Sequence, residues 1–305
     1  MKRALVWDVL LASAIAATAS AQAARPAPAS QNPSPMVEHT RAHERLHPVD
    51  IGGTRRTFAG PLGKPVEVWI PDGLRPEKVN LVVHFLGAAW LPEYAVSRVG
   101  QNTVAAVVNL GAGSGIYDRA FSDPAAFDSL LAGVAREVSA AAGRTAALDR
   151  ITLVGYSAGH GAVRAILRDS AHFARVNAIL LLDGMHTSYV PEGVVQALGG
   201  TLDTRNLDGF VAFARAAVRG EKRFLITHSE IFPGTFASTT ETADYLLEQL
   251  GLTRTPVLRW GPRGMQQLSD VRAGQFELMG FAGNSAPDHV DQLQGMPEFL
   301  ERLMK

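Results

Sequence analysis

A serine hydroxyl attacks a carbonyl only when a base takes its proton, so the informative residues are a serine, a histidine and a carboxylate that a fold can bring together. Ser157 lies in Gly155-Tyr156-Ser157-Ala158-Gly159. The apolar run Ile151-Thr152-Leu153-Val154 precedes it, and Gly161 to Leu167 follows with apolar residues at helical spacing. Strand, G-x-S-x-G and helix together are the setting of a nucleophile elbow. The turn is sharp, so the residues two before and two after the serine must lack bulk, and Gly155 and Gly159 meet that need. The helix start behind Ser157 leaves backbone N–H groups free to face a developing anion. His289 is the candidate base, because it follows the last apolar run, Gln275 to Gly280, just before the final helical stretch. Three carboxylates compete to orient it. Asp183 closes the run Val176 to Leu182 and is followed by Gly184, which permits a sharp exit. Glu230 lies three residues beyond the run Arg223 to Thr227. Asp288 adjoins His289, but neighbours in a loop seldom face each other. The spacing favours Asp183, with Glu230 as the alternative. The oxyanion of an acyl transfer needs two backbone donors. The Ala158 N–H is one, and Gly87 or Ala88, in the loop Leu86-Gly87-Ala88-Ala89-Trp90 after the run Val79 to Phe85, supplies the other.

These residues sit at the ends of elements that the pattern also predicts. Arg56 to Phe58 and Val66 to Ile70 read as an opening hairpin joined through Gly60-Pro61-Leu62-Gly63. Val79 to Phe85, Thr103 to Leu110, Ile151 to Tyr156, Val176 to Leu182, Arg223 to Thr227 and Gln275 to Gly280 read as strands. Helical patterns fall between them: one capped by Ser122-Asp123-Pro124 and running to Ala142, then Leu207 to Val218, Thr240 to Leu250 and Met296 to Met304. Continuous apolar strands alternating with helices predict an α/β fold, a mainly parallel sheet with helices on both faces. Residues 184–222 join two core strands by a long route and read as a small cap over the strand ends.

Residues 51–305 resemble the α/β-hydrolase superfamily on its esterase and lipase side. The carriers are Gly155-Tyr156-Ser157-Ala158-Gly159, the late His289, and Leu86-Gly87-Ala88-Ala89-Trp90. The last is similar to an HGGGW oxyanion loop, with Leu86 in the histidine position and alanines in two glycine positions. The resemblance implies cleavage of a carboxylic ester through an acyl-enzyme intermediate, with a small-molecule ester as partner and no cofactor. Most of the superfamily takes its acid from the strand two after the elbow strand, which implies Glu230. Some lipase-like members take it from the next strand, which implies Asp183.

The chain has 305 residues, 47% of them apolar, enough to bury a sizeable core. Its 29 basic and 29 acidic residues balance, so nothing in the charge argues for nucleic acid or an anionic membrane. There is no cysteine, which excludes disulfides, a thiol nucleophile and Cys-ligated metal. Lys2 and Arg3, the apolar stretch Val9 to Ala19 and the small-residue site Ala21-Gln22-Ala23 form the three-part pattern of a cleaved export signal over residues 1–23. That predicts a periplasmic or secreted protein with no stable membrane insertion after cleavage. Residues 24–50 read as a Pro/Ala-rich linker and a polar segment ahead of the domain. That polar segment holds a literal H-E-x-x-H, His43-Glu44-Arg45-Leu46-His47, with His39 one turn earlier. On a helix these histidines would share a face, but a zinc site of this kind needs a packed scaffold for its third ligand, and the segment sits outside the expected core. No metal is therefore expected. His84, inside an apolar strand, reads as a core histidine and His160 as a neighbour of the elbow. His186 and His228 flank the site, and Trp90, Tyr94 and Phe232 read as core.

Overall fold

Gly60 and the turn Pro61–Gly63 fold Thr54–Ala59 (β1) back on Pro65–Ile70 (β2) as an antiparallel pair, with Phe58 opposite Val66. The structure is a computed structural model that describes residues 42–100 and 102–305. The export signal and most of the linker lie outside these residues. After the hairpin come Val79–Phe85 (β3), Trp90–Val99 (α1), Thr103–Val108 (β4), Ser114–Ala120 (α2) and Pro124–Ala142 (α3). Asp123 caps α3, its side chain accepting from the Ala125 N–H at 3.0 Å. Leu148–Tyr156 (β5), His160–Leu167 (α4), Ser170–Arg175 (α5) and Val176–Leu182 (β6) follow. A small hairpin, Tyr189–Val190 (β7) with Thr201–Leu202 (β8), precedes Asp208–Val218 (α6), Arg223–His228 (β9) and Thr239–Leu250 (α7). Thr255–Trp260 (β10), Gln266–Ala273 (β11), Phe276–Phe281 (β12), Ala286–Gln294 (α8) and Met296–Met304 (α9) close the chain.

Ten strands form one sheet in the order β1-β2-β4-β3-β5-β6-β9-β12-β11-β10. The six from β4 to β12 run parallel, and the two at each edge are antiparallel. The period-two alternation of each central strand divides its side chains between two cores. Leu81, Val83 and Phe85 of β3 face one layer with Phe127, Leu130, Val163, Ile166, Phe210, Phe213 and Leu246. Val82 faces the other with Ala95, Val96, Met296, Phe299, Leu300 and Leu303. Helices α3, α4, α6 and α7 thus cover one face, and α1 and α9 the other.

Within the region expected to form a cap, α6 buries Phe210 and Phe213 in the main core, where both rings meet Phe224 of β9. Only the β7–β8 hairpin and its turns stand as an addition, with Val190 and Leu198 exposed at its surface. Among the described residues, no helix is long and apolar enough to cross a membrane.

Candidate active site

Three central strands end in strained residues. Leu86 after β3 has φ 70°, Ser157 after β5 has φ 47°, and Asp183 after β6 has φ 43°. Left-handed backbone at a non-glycine residue costs on the order of 1–3 kcal/mol and persists only where the surroundings enforce it. Here three adjacent carboxyl ends of the sheet hold it, at the edge where open α/β sheets bind ligands.

At Ser157 the cause is local packing. Residues Ser157–Gly159 form a single tight turn that feeds α4. A Cβ at Gly159 would collide with the carbonyl oxygen of Phe85, so the turn after the serine lies directly on the end of β3. A Cβ at Gly184 would lie 2.8 Å from both the backbone N and O of Ser157, so the exit of β6 closes on the serine from the other side. The His160 Nδ1–H donates to the Ser157 carbonyl at 2.8 Å.

Asp183 is buried, with 2% of its surface exposed, yet it accepts four hydrogen bonds. Oδ1 accepts from the Ser229 N–H at 3.0 Å and the Thr239 hydroxyl at 2.7 Å. Oδ2 accepts from the Ser229 hydroxyl at 2.6 Å and from His289 Nδ1 at 2.7 Å. Burial pushes the carboxyl upward. The hydrogen bond and charge of His289, with the hydroxyls of Ser229 and Thr239, outweigh it and hold the group well below the usual carboxylate range. Since Nδ1 of His289 is committed to Asp183, the lone pair of the neutral ring sits on Nε2. The ring of Tyr156, the residue before the serine, lies 4.8 Å from that of His289 at a tilt of 30°.

The structure therefore pairs His289 with Asp183 and leaves the other two carboxylates elsewhere. Glu230 is exposed, and its Oε2 accepts from the Gly283 N–H at 3.4 Å. Asp288 serves the start of α8, where its Oδ2 accepts from the Ser285 N–H and hydroxyl at 3.0 and 2.6 Å.

The loop after β3 departs from expectation at Gly87. The Gly87 N–H donates to Asn109 Oδ1 at 2.9 Å, so it has no proton to offer a substrate. Of the two expected donors in this loop, Ala88 remains; that residue is exposed, and its N–H donates to no acceptor among the described residues. Ala158 occupies the first turn after the serine, as the elbow requires.

The remaining aromatic and histidine residues divide. His84 is buried, and its Nε2–H donates to the Leu86 carbonyl at 2.9 Å. His228 is buried, and its Nε2 accepts from Arg254 at 2.7 Å. His160, His186 and Phe236 form a ladder of edge contacts leading out from Ser157, with centroid spacings of 5.5 and 5.0 Å. Trp90 and Tyr94 are only half-buried and Phe232 is exposed, so none of the three is core as expected; Phe232 and Phe236 instead leave an apolar rim on the loop after β9.

The H-E-x-x-H segment is not helical, so nothing sets His43 and His47 on one face, and His47 is exposed. His43 instead bonds to Asp291 of α8 at 2.8 Å. His43, Asp288 and Asp291 bring ligand-type atoms within 4.8 Å of one another, but the Arg45 guanidinium already sits on Asp291. Sequence reasoning also passed over Asn109, Ser229 and Thr239. Asn109 carried a usable signal, a polar side chain at the carboxyl end of an apolar strand, the same signal that marks Asp183.

An elbow serine after β5, an aspartate after β6 and a histidine after β12, on a sheet with this strand order, decide the architecture. The chain has the α/β-hydrolase fold. Similar solved structures include a thermostable esterase from Pseudomonas putida, 14% identical with a TM-score of 0.43 over 84% of this chain and 83% of that one. An S-formylglutathione hydrolase from Staphylococcus aureus is 11% identical, with a TM-score of 0.44 over 86% of this chain and 100% of that one. An uncharacterised protein from Capnocytophaga ochracea is 11% identical, with a TM-score of 0.47 over 83% of this chain and 64% of that one. No family model and no curated protein matches the sequence.

Proposed function

We propose that this chain is a serine hydrolase that cleaves a carboxylic ester through an acyl-enzyme intermediate. The observation that carries the reading is the 2.7 Å bond from His289 Nδ1 to a buried, fully bonded Asp183, beside a serine held in left-handed backbone. In this reading Nε2 of His289 takes the Ser157 hydroxyl proton as Oγ bonds to the ester carbonyl carbon. The N–H groups of Ala158 and Ala88 receive the charge that develops on the carbonyl oxygen. The tetrahedral adduct collapses, the carbon–alkoxide bond breaks, and the alcohol leaves with the proton from His289. A water then gives its proton to His289 and attacks the acyl carbon, which releases the acid and restores Ser157. Asp183 holds the imidazole in one tautomer and stabilises the imidazolium throughout. The apolar rim of Phe232 and Phe236 suits an apolar acyl or alcohol group.

The test is a panel of p-nitrophenyl esters and aminoacyl amides with the wild-type chain and Ser157→Ala, together with a fluorophosphonate label. The wild type should hydrolyse esters and be labelled at Ser157. The variant should lose about three orders of magnitude or more in turnover and all labelling, while keeping its circular dichroism. Amide cleavage above ester cleavage would move the reading to a peptidase, and an unlabelled, inactive wild type would make the chain a binding module. Export is part of the proposal and rests on the N-terminal pattern alone. The mature protein should begin at Ala24, or at Gln22 if cleavage follows Ala19-Ser20-Ala21, and N-terminal sequencing that finds Met1 would remove it.

A further inference from the structure

We propose that Asn109 is a positioning residue that orients the second oxyanion donor, the Ala88 N–H, by gripping the peptide that carries it. The inference rests on the ester-hydrolase reading of Ser157.

It follows from counting where each polar group of the loop after β3 goes. The Leu86 N–H donates to the Val108 carbonyl at 3.2 Å, and the Leu86 carbonyl accepts from His84 Nε2 at 2.9 Å. Asn109 takes both groups of Gly87: Oδ1 accepts from its N–H at 2.9 Å, and Nδ2 donates to its carbonyl at 2.8 Å. The carbonyls of Ala88 and Ala89 accept from the Leu91 and Glu93 N–H groups at the start of α1. Every group from Leu86 N–H to Gly87 C=O is thereby fixed from inside the protein, and the next donor along the chain, the Ala88 N–H, has no protein partner among the described residues.

The geometry of the amide supplies the mechanism. The Gly87 C=O and the Ala88 N–H belong to one planar peptide and point in opposite directions. When Asn109 Nδ2 holds the carbonyl on its own side, it sets the N–H on the other. That N–H is on a residue exposed to solvent, in a loop whose preceding strand end lies against the turn after Ser157. The backbone at Leu86 and Gly87, with φ values of 70° and 153°, would relax without such a grip. Pre-setting a donor before charge develops is what makes an oxyanion site effective, because no reorganisation is then needed during the reaction.

The side-chain amide matters here for a reason a volume argument misses. Asn109 both accepts and donates, and only the donated bond acts on the peptide that bears the Ala88 N–H. Asn109→Asp keeps the shape and keeps an acceptor for the Gly87 N–H, but replaces the donor with an oxygen that repels the Gly87 carbonyl.

The experiment measures kcat, KM and the inhibition constant of a trifluoromethyl ketone for wild type, Asn109→Asp, Asn109→Ala and Ser157→Ala on p-nitrophenyl acetate. Circular dichroism and a thermal midpoint accompany each. Asn109→Asp should lower kcat by about 100-fold, the scale of losing one oxyanion donor, with KM changed by less than about 3-fold. Trifluoromethyl ketone affinity should weaken in proportion to kcat. Leu130→Ala, a cavity in the core under α3, supplies a destabilised control that should keep the wild-type kcat and inhibitor affinity. Should Asn109→Ala fail to fold, Asn109→Asp still decides the matter. Wild-type kcat and inhibitor affinity in a folded Asn109→Asp overturn the assignment while Ser157-dependent hydrolysis stands. Hydrolysis that survives Ser157→Ala overturns both.

Discussion

Asp183 has almost no contact with water, and four donors surround its two oxygens. A carboxylate so placed cannot rotate or take up a proton without breaking bonds, which suits a group that fixes a ring. Replacing it with asparagine substitutes an amide for an acceptor that His289, Ser229 and Thr239 all require. Asp183→Asn is expected to lower kcat at pH 7–8 by about 10⁴-fold, as loss of the orienting carboxylate does in serine hydrolases generally. Glu230→Gln should stay within a few-fold of wild type, since Glu230 is exposed and its carboxylate accepts only a long 3.4 Å bond from Gly283 among the described residues. The reverse pattern in steady-state kinetics would transfer the role to Glu230. Asp183 and His289 were legible because each follows an apolar strand, and the ends of parallel strands converge in space. Ser229 and Thr239 were not, because their hydroxyls come from separate segments, the loop after β9 and the start of α7, that meet only in the folded chain. The Gly87 N–H was misread for a similar reason: small residues at a strand end suggest an open backbone, and nothing local shows that Asn109 fills it.

Helix α8 carries His289, and the polar residues 43–46 strap it. Arg45 binds both the Asp291 carboxylate and the Pro287 carbonyl, His43 binds Asp291, and the Leu46 N–H donates to Gln294 Oε1 at 2.7 Å. Asp291, Gln292 and Gln294 are buried although the helix is rich in polar residues. Sequence periodicity cannot find such a contact, because two polar segments that bury each other both read as solvated. The same blindness hid the largely exposed edge strand β10 and the mostly half-buried β11 beside it, neither of which has an apolar run, whereas the six parallel strands were legible from theirs. Residues 43–46, read from the sequence as part of a polar segment ahead of the domain, therefore pack against it. Arg45→Ala removes the guanidinium from a carboxylate with 0% side-chain exposure that His43 still contacts, and should lower stability by about 1–2 kcal/mol. Deleting the chain through Arg45 should lower both the denaturation midpoint and kcat, since α8 then loses the grip that sets its first turn next to His289. A truncated chain with a wild-type midpoint in urea and wild-type kcat would show that the strap holds nothing.

Across the whole molecule, neutrality of the interior depends on buried histidines. His84 and His228 are each held down to about 4 and His160 to about 3, chiefly because burial penalises the charged ring, and burial lowers His186 as well. For three of the rings the surroundings also leave a second proton badly placed. His84 gives one proton to the Leu86 carbonyl and His160 one to the Ser157 carbonyl, and the other ring nitrogens, Nδ1 of His84 and Nε2 of His160, have no partner among the described residues to receive a second. Nε2 of His228 faces the Arg254 guanidinium, so a proton there would meet a like charge. In the unfolded chain all of these rings return to the ordinary value of 6.5. Between 6.5 and about 4 the unfolded chain binds more protons than the native one, so stability is full above 6.5 and falls as the pH drops through that window. Each such ring contributes a slope of about 1.4 kcal/mol per pH unit near pH 5. The thermal midpoint should therefore fall from pH 7.5 to pH 5, before the bonded aspartate Asp183 takes up a proton. Calorimetry in two buffers of different ionisation enthalpy should show net uptake of about two protons on unfolding at pH 5, about three taken up by these rings less most of one released by Glu277, which burial holds up at about 7, and almost none at pH 7.5. A midpoint that stays level over that range would mean that these rings find partners or water when charged, and that acid sensitivity begins only as the pH falls below 3.8, the ordinary value of the carboxyl that Asp183 holds lower when folded.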